Sequence, residues 1–592
     1  LYPAATIPGK THNNYSRLIH EPYDLMQGDF RGDWDPSQKN QSFFRYSQVG
    51  FTSEQDQIFP GIAQGQSGSG TFESQMGAAL GQTHIFSPNI FNEFRVGFSW
   101  YGDSQEIPPF GIHIPPANLT IPGVPLSPKS AGVAQFSPAG YRGVGMSGYD
   151  PTYLATEERE VSDALSIIRG KHSMVTGFEL RWSEFNIFQV PDPDGHLSFT
   201  GQFTQNPANQ DGGDGMADAL LGLPLEADYD TQVEVQNRQK VPSVYFQDDW
   251  RVTPTLTLNL GLRYDYFSPI AGKHNVQANY NYATNQLVVA GGQCPSGATY
   301  CVNGNSRGLV TVDKGNFAPR IGFAKTIHNT VISAGGGIFW SGQEIKTAGP
   351  LQLAYNLPFY YQPSFTSDGV TPKITVSGGF PAANLNQAVN PGVTSLGGSP
   401  TNTGNNPILR TPSYIEYNLS IQQALPDRMS LELSYAGSKG THLQSVLDYN
   451  QDQVPGPGDP QTRRPHPNYG SFTSMVDRGN SKYYSGQVKL EKQAGQGLYF
   501  LSSFTWGKAY DDQAEICCAG PPPNSWDVPS EEGLADFNET LRWVLSFDYL
   551  LPIGSGQKLL GGAKGVANQV IGGWHFGGIY SLGSGFPFSP SL

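Results

Sequence analysis

The segment Val241–Phe267, VPSVYFQDDWRVTPTLTLNLGLRYDYF, decides the fold. From Thr255 it alternates without a break. Leu256, Leu258, Leu260, Leu262, Tyr264 and Tyr266 fall on one parity; Thr255, Thr257, Asn259, Gly261, Arg263 and Asp265 fall on the other. Successive side chains of a strand point to opposite faces, so this is a ribbon with one apolar and one polar side. The stretch before it sets Val244, Phe246, Trp250 and Val252 against Ser243, Tyr245, Gln247, Asp249 and Arg251, and only Thr253 and Pro254 separate the two. That pattern predicts two antiparallel strands joined by a tight turn. About a dozen alternating residues exceeds the roughly five or six of a globular strand and the roughly 9–11 of a strand that crosses a bilayer at a tilt. The hairpin is built for a membrane.

Composition fits the same reading. Of 592 residues, 15% are charged, against roughly 25% in an ordinary soluble domain, and 12% are aromatic. No apolar run approaches the roughly 18 residues of a membrane helix. A β-barrel hides only half of each strand in lipid, so it needs no such run. The formal net charge of −14 argues against nucleic acid, which requires a basic footprint. No charged-then-apolar leader opens at Leu1, so the chain is expected to be processed or a fragment.

Period-two segments recur throughout: Gly28–Trp34, Gln41–Val49, Phe72–Gln82, Ile90–Tyr101, Glu158–Ile168 and Lys171–Glu184 before the central hairpin. After it come Ala318–His328, Thr330–Trp340, Ser413–Ala424, Arg428–Gly437, Lys482–Lys492, Leu498–Lys508, Asn538–Leu551 and Gly572–Leu582. The connections alternate in length. Arg169–Gly170, Thr253–Pro254, Asn329, Leu425–Asp427 and Gln493–Gly497 are short. Gly102–Glu157, Phe185–Asp230, Ser268–Phe317, Ser341–Pro412, Ser438–Ser481 and Ala509–Phe537 are long and rich in Gly, Pro, Asn and Ser. Long loops on one side and tight turns on the other mark an outer-membrane barrel with its long side facing out. The expected fold is therefore all-β, a transmembrane antiparallel barrel of about sixteen strands with long extracellular loops and short periplasmic turns.

Two residue sets follow from the parity. Trp100, Trp182, Trp340 and Trp506 fall at outer strand ends and Trp250 at the inner rim, where indoles form girdles at the bilayer interface. Arg95, Arg181, Arg263, Arg320, Glu416, Glu432, Lys489 and Asp548 share the polar parity and are expected to face the lumen. A charge on the lipid face costs roughly 2–4 kcal/mol near the midplane. Each is accounted for by ion pairing along the wall; as a set they suit contact with a plug or a passing solute.

The run Tyr245–Phe267 resembles a signature stretch in the barrel of TonB-dependent outer-membrane transporters of the Oar-like group. NFAPRIGFA (Asn316–Ala324), YNLSIQQAL (Tyr417–Leu425), LELSYAGSKGTHL (Leu431–Leu443), FLSSFTWGKAYDD (Phe500–Asp512) and GWHFGGIYSLGSGFPFS (Gly573–Ser589) resemble that group in the same order. The resemblance implies location in the outer membrane of a Gram-negative bacterium. It also implies a barrel of 22 strands, of which this chain is expected to lack about six. It implies energised uptake, or export, of a large or scarce substrate. The implied partners are outer-membrane lipid, a plug domain of the same full-length protein, and the TonB complex acting through an N-terminal region that finds no match here. A passive porin-like channel and a surface adhesion or assembly barrel are the alternatives.

The remaining motifs point to no chemistry. Gly143–Gly148 matches GxGxxG, but Pro138 precedes it and Tyr149–Asp150–Pro151 follows, with no strand–helix frame for a nucleotide. Asp211, Asp214 and Asp218 form an acidic, Gly-rich group that suits either a solvated loop or a hard cation, although the EF-hand spacing is absent. The apolar run Ala217–Leu223 beside it is expected to form a helical turn. No HExxH, GxSxG or CxxC occurs, and nothing suggests an enzyme or a cofactor. Cys294 and Cys301 sit in a Gly/Ser/Asn-rich stretch suited to a disulfide-closed loop, whereas the four cysteines, with Cys517 and Cys518, lack a metal spacing. Within Ser341–Pro412, Tyr355, Phe359, Tyr360 and Tyr361 either stack on a sugar or siderophore or pack the loop.

Overall fold

The alternation at 241–267 forms an antiparallel pair, Val235–Thr253 against Leu256–Asp265, with Phe246 opposite Leu262 and Gln247 opposite Gly261. Thr253 pairs with Leu256, so the turn is Pro254–Thr255. This computed structural model describes residues 2–588 except 11, 65, 67–69, 107–118, 126, 128, 130–131, 210, 283, 285, 343–352, 383–401, 455, 468–469, 496 and 513–520.

Among the described residues the main sheet has 19 strands. Three are short loop segments, Ala271–Gly272, Asn402–Asn405 and Gly533–Leu534. The rest form the wall. In chain order they are β1 (Tyr23–Ser37), β2 (Asn40–Glu54), β3 (Gly70–Ser87), β4 (Ile90–Glu106), β5 (Thr152–Arg169), β6 (His172–Phe188), β7 (Val235–Thr253) and β8 (Leu256–Asp265). There follow β9 (Phe317–Ile327), β10 (Thr330–Trp340), β11 (Ser413–Leu425), β12 (Met429–Asp448), β13 (Phe472–Gly495), β14 (Leu498–Asp511), β15 (Leu541–Leu550) and β16 (His575–Gly583). Each pairs antiparallel with the next, a meander without crossovers. Among the described residues β1 pairs only with β2, and β16 only with β15.

The strands run past the expected limits at the long-connection end. β7 begins at Val235, β12 continues to Asp448, and β13 begins at Phe472. There the wall meets the loop layer: the end of β12, Ser445–Asp448, is buried on both faces, and in β7 the buried face carries Asn237 and Gln239, so the apolar–polar alternation that marks the spanning parts is lost. One connection on the tight-turn side, 551–574, is long and carries a helix, Gly565–Ile571. Its glycines and lysines bear no alternating pattern.

Burial is inverted relative to a soluble protein. In the wall, large apolar side chains are exposed: Val244, Phe246, Leu260, Leu262, Ile321, Leu419, Leu433, Val488 and Phe504. Cross-strand register sets them on one face, as with Phe246 opposite Leu262 and Leu433 opposite Val488. A continuous exposed apolar belt is a lipid-facing surface. The fully buried side chains, among them Phe185, Phe199, Leu197, Leu287, Val289, Leu447 and Phe472, lie in the long connections and the strand ends that meet them.

The face assignment is testable within one strand. Leu260→Arg is expected to destabilise the protein by about 2–4 kcal/mol, because it puts a charge in the lipid belt. Asn259→Arg, one residue away on the other face, is expected to cost under about 0.5 kcal/mol. Urea unfolding in phospholipid vesicles measures both, and equal costs would contradict the assignment.

Candidate functional site

The inner face of the wall is polar and ionised. Arg95, Arg181, Arg263, Arg320, Glu416, Glu432, Lys489 and Asp548 all occupy the face opposite the apolar belt, as register shows: Arg263 lies opposite Tyr245, Glu432 opposite Lys489 and Asp548 opposite Tyr499. Arg263 bridges Glu179 at 3.2 Å and Asp265 at 2.8 Å, and Asp265 also accepts the Ser243 hydroxyl at 2.6 Å. Arg95 pairs with Glu93, Lys489 with Glu491 at 3.4 Å, and Asp548 with His575 at 3.0 Å. Glu432 accepts from Ser420 and Ser434, both at 3.0 Å.

Glycine hollows this face. Arg320, Gly337 and Glu416 stand abreast on three neighbouring strands. A Cβ on Gly337 would lie 2.9 Å from Cγ of Arg320, so only glycine lets the arginine lie across the wall, its guanidinium 4.4 Å above the Phe339 ring. Gly261, Gly322 and Gly335 extend the hollow to a groove of about 600 Å³, edged by Gln247, Asn259, Asn418 and Tyr483. A second hollow of about 340 Å³ lies over Gly77, Ala79 and Gly97 and is edged by Arg45, Glu158, Glu160 and Arg181.

The five tryptophans Trp100, Trp182, Trp250, Trp340 and Trp506 take the outward parity, aligned with Met76, Lys240, Leu258, Ser413 and Leu541 respectively. Sequence reasoning missed a group of outward charges beside two of them. Glu157, Arg159 and Glu184 share the face of Trp100 and Trp182, and Arg159 pairs with both glutamates while Arg238 pairs with Glu184 at 3.0 Å. They sit at the long-connection end, where charge is solvated. Two outward aspartates lie toward the tight-turn end: Asp163 accepts from Asn92, and Asp248 meets His172 at 2.7 Å. His172 stacks on Trp250 at 5.4 Å. The signal was available as a break in the alternation at Asp248.

Above the wall the long connections fold into a layer with its own cores. Gln135–Pro138, His196–Phe199, Glu226–Asp228 and Ser364–Thr366, from three separate connections, form one small sheet. Leu197, Phe199, Ala227, Phe365, Ile374 and Phe380 pack together around it. A second core gathers Tyr280, Leu287, Val289, Leu357 and Phe472, beside the disulfide Cys294–Cys301. Cys517 and Cys518 lie outside the described residues.

The loop candidates hold this layer together. Tyr355 donates to the Gln189 carbonyl at 2.6 Å, Tyr360 donates to Asp230, and the Tyr361 hydroxyl meets that of Tyr229 at 3.2 Å; Phe359 packs against the second core and against a further cluster of Phe185, Ile187, Val233 and Val235. Their hydroxyls and rings are engaged inside the layer. Asp214 caps the helix Gly215–Leu221, accepting from Met216 N at 2.8 Å and Ala217 N at 3.1 Å, and accepts the Tyr141 hydroxyl at 3.0 Å. Asp218 is fully buried and accepts Gly201 N at 2.8 Å, whereas Asp211 is exposed. Asp214 and Asp218 brace the turn and the helix that follows it. In the GxGxxG segment, Gly145 has φ +90° and its Cβ would lie 2.1 Å from the Ala134 carbonyl, so glycine serves close backbone packing.

At the seam between connections Asp192, Asp228, Asp230 and His196 meet. Asp230 accepts Asp192 N at 2.6 Å, Gln135 donates to Asp192 at 2.5 Å, and His196 lies 3.3 Å from Asp228. Burial pushes the Asp230 carboxyl up to about 6, and burial with the neighbouring carboxylates raises Asp192. The Asp228 hydrogen bond raises His196. All three hold protons more tightly folded than unfolded. Their contribution to docking of the layer is therefore full below about pH 4 and is lost as pH rises through about 6 and above. Amides of 135–138 and 196–199 are expected to lose hydrogen-exchange protection between pH 5 and pH 8, after correction for intrinsic rates. Protection that is flat or rises over that range would contradict the linkage.

Comparison with known proteins agrees with the architecture. A family model described as an outer membrane beta barrel domain matches residues 1–592. The fold is similar to that of the outer membrane transporter YddB from Escherichia coli, with TM-score 0.51 and 13% identity over 90% of this chain and 55% of that one. It is also similar to Pseudomonas aeruginosa FpvA bound to pyoverdines, with TM-score 0.45 and 10% identity over 92% of this chain and 53% of that one. The chain thus spans about half the length of these structures. No curated protein sequence matches it. The chain belongs to the outer membrane β-barrel family, and its place is the outer membrane of a Gram-negative bacterium.

Proposed function

We propose that this chain is the barrel of a TonB-dependent transporter that takes up a scarce solute across the outer membrane. One observation carries the reading: a polar, glycine-hollowed inner wall lies beneath long connections that fold into a layer with its own cores. A passive pore works by staying open, and its selectivity resides in charges around an aqueous constriction. A folded layer on the outer side suits capture followed by gated release, which requires two states of different affinity. Similarity to the fold of an outer membrane transporter supports the same reading. The inner-wall groove around Arg320 and Glu416 offers a charged, hydrogen-bonding surface for a plug or a solute in transit.

The test uses the full-length protein. In planar bilayers it is expected to show no steady conductance, and its purified form is expected to bind the periplasmic domain of TonB. A stable open conductance without TonB binding would replace this function with that of a porin.

A further inference from the structure

Strands β12 and β13 do not pair evenly to their ends. Gly440 faces Ser481 and Leu443 faces Gly479, so Thr441 and His442 together face Asn480 alone. Leu443 faces Gly479 and Ser445 faces Val476, so Asp477 and Arg478 together face Gln444 alone. These are two β-bulges, back to back on opposite strands. A bulge re-aims side chains and interrupts pairing, at a local cost. His442 shows that cost, with φ +56°, a left-handed conformation unusual for a residue with a Cβ.

The bulged residues open onto one cleft of about 600 Å³, lined also by Arg410, Asn480 and Trp526. Val528, which lines it, is buried with Val476 and Leu447 in a small apolar core. The Arg410 guanidinium donates to Nε2 of His442 at 3.0 Å, which holds it beside the bulge. Asp477 accepts the backbone N–H of Arg410 at 2.7 Å, tying the loop to the bulge. Among the described residues neither Arg410 nor Arg478 has a carboxylate oxygen within ion-pair distance, and Arg478 is exposed. Trp526 is 43% exposed and is held through its Nε1 to the Gln451 carbonyl at 3.3 Å. Among the described lining residues two guanidiniums stand against one carboxylate, a balance of one positive charge, on a chain of net charge −14.

We propose that this cleft binds a carboxylate-bearing sugar, with its carboxylate on Arg410 and Arg478 and its ring on the face of Trp526. A guanidinium fork matches the two oxygens of a carboxylate. A single net positive charge suits a monoanion better than a doubly charged phosphate. An indole offers an apolar face to a ring, and Asn480, whose amide N–H groups are taken by Asp512 and the Arg478 carbonyl, offers its Oδ1 as an acceptor to a hydroxyl. The cleft lies at the long-connection end, so its exposure to the medium rests on the orientation in the transport reading, whereas binding itself does not.

The probe is galacturonate, a monoanion, titrated calorimetrically into purified full-length protein, with neutral galactose and galactose 6-phosphate as comparators. Galacturonate is expected to bind at least about tenfold tighter than either comparator. Arg478→Gln and Trp526→Ala are each expected to weaken it by about tenfold or more, and Arg478→Lys by less than Arg478→Gln. Both altered side chains are exposed, and heat-modifiable electrophoretic migration verifies that the variants fold. Equal binding of galactose, tighter binding of the phosphate, unchanged affinity in the variants, or no binding at millimolar concentration would each overturn the site. Binding that depends on Arg478 while cells accumulate no galacturonate leaves the site standing and counts against transport.

Discussion

Lipid offers no hydrogen-bond partner to a peptide group, and this constraint governs the molecule. Each N–H and C=O within the hydrocarbon must be paired along the sheet, so strands that cross must have neighbours on both sides. The unbroken antiparallel ladder from β2 to β15 meets that demand, with each wall strand bonded to the preceding and following ones. Strand length follows from bilayer thickness, and the connection at each end follows from what must be placed there. Tight turns suffice where strands only reverse direction, whereas long connections build a layer.

Once the backbone is satisfied, side chains sort by parity. Outward positions meet lipid and are apolar, and inward positions meet water and carry charge. Neither environment supplies a packed interior, which is why Leu260 and Phe246 are exposed although hydrophobic. The close-packed core that stabilises a soluble protein appears only above the membrane, where Phe199, Leu287 and Phe472 are buried by loops from distant parts of the chain. The protein combines two solvents and two rules of assembly. Its tyrosines show the difference: Tyr264 and Tyr417 lie on the lipid-facing parity, while Tyr355 and Tyr360 donate hydrogen bonds inside the loop layer.

The same division explains which residues were legible beforehand. Arg263, Arg320 and Glu416 announce their inward face because their neighbours at i±1 are apolar and the period is strict. Tyr355, Phe359, Tyr360 and Tyr361 carry no such signal, since an aromatic run in a loop reads alike whether it stacks on a ligand or fills a core. Asp214 looked like part of an acidic group, and its role as a helix cap depends on the backbone of Met216 and Ala217. The charges Glu157, Arg159 and Glu184 fall on the outward parity, because their strands continue past the hydrocarbon into water.

By itself the sequence determined that the chain is a wall of alternating strands with tight turns at one edge and long connections at the other, because period two and turn chemistry are local properties of the chain. It also determined which side chains share a face. Only the tertiary structure decided which loops meet, since Gln135–Pro138, His196–Phe199 and Ser364–Thr366 pair across separations that no local pattern records. Only there do paired bulges place His442 and Arg478 on the same cleft as Arg410 and Trp526. A bulge is a mismatch in count between two strands, and a single strand cannot display it.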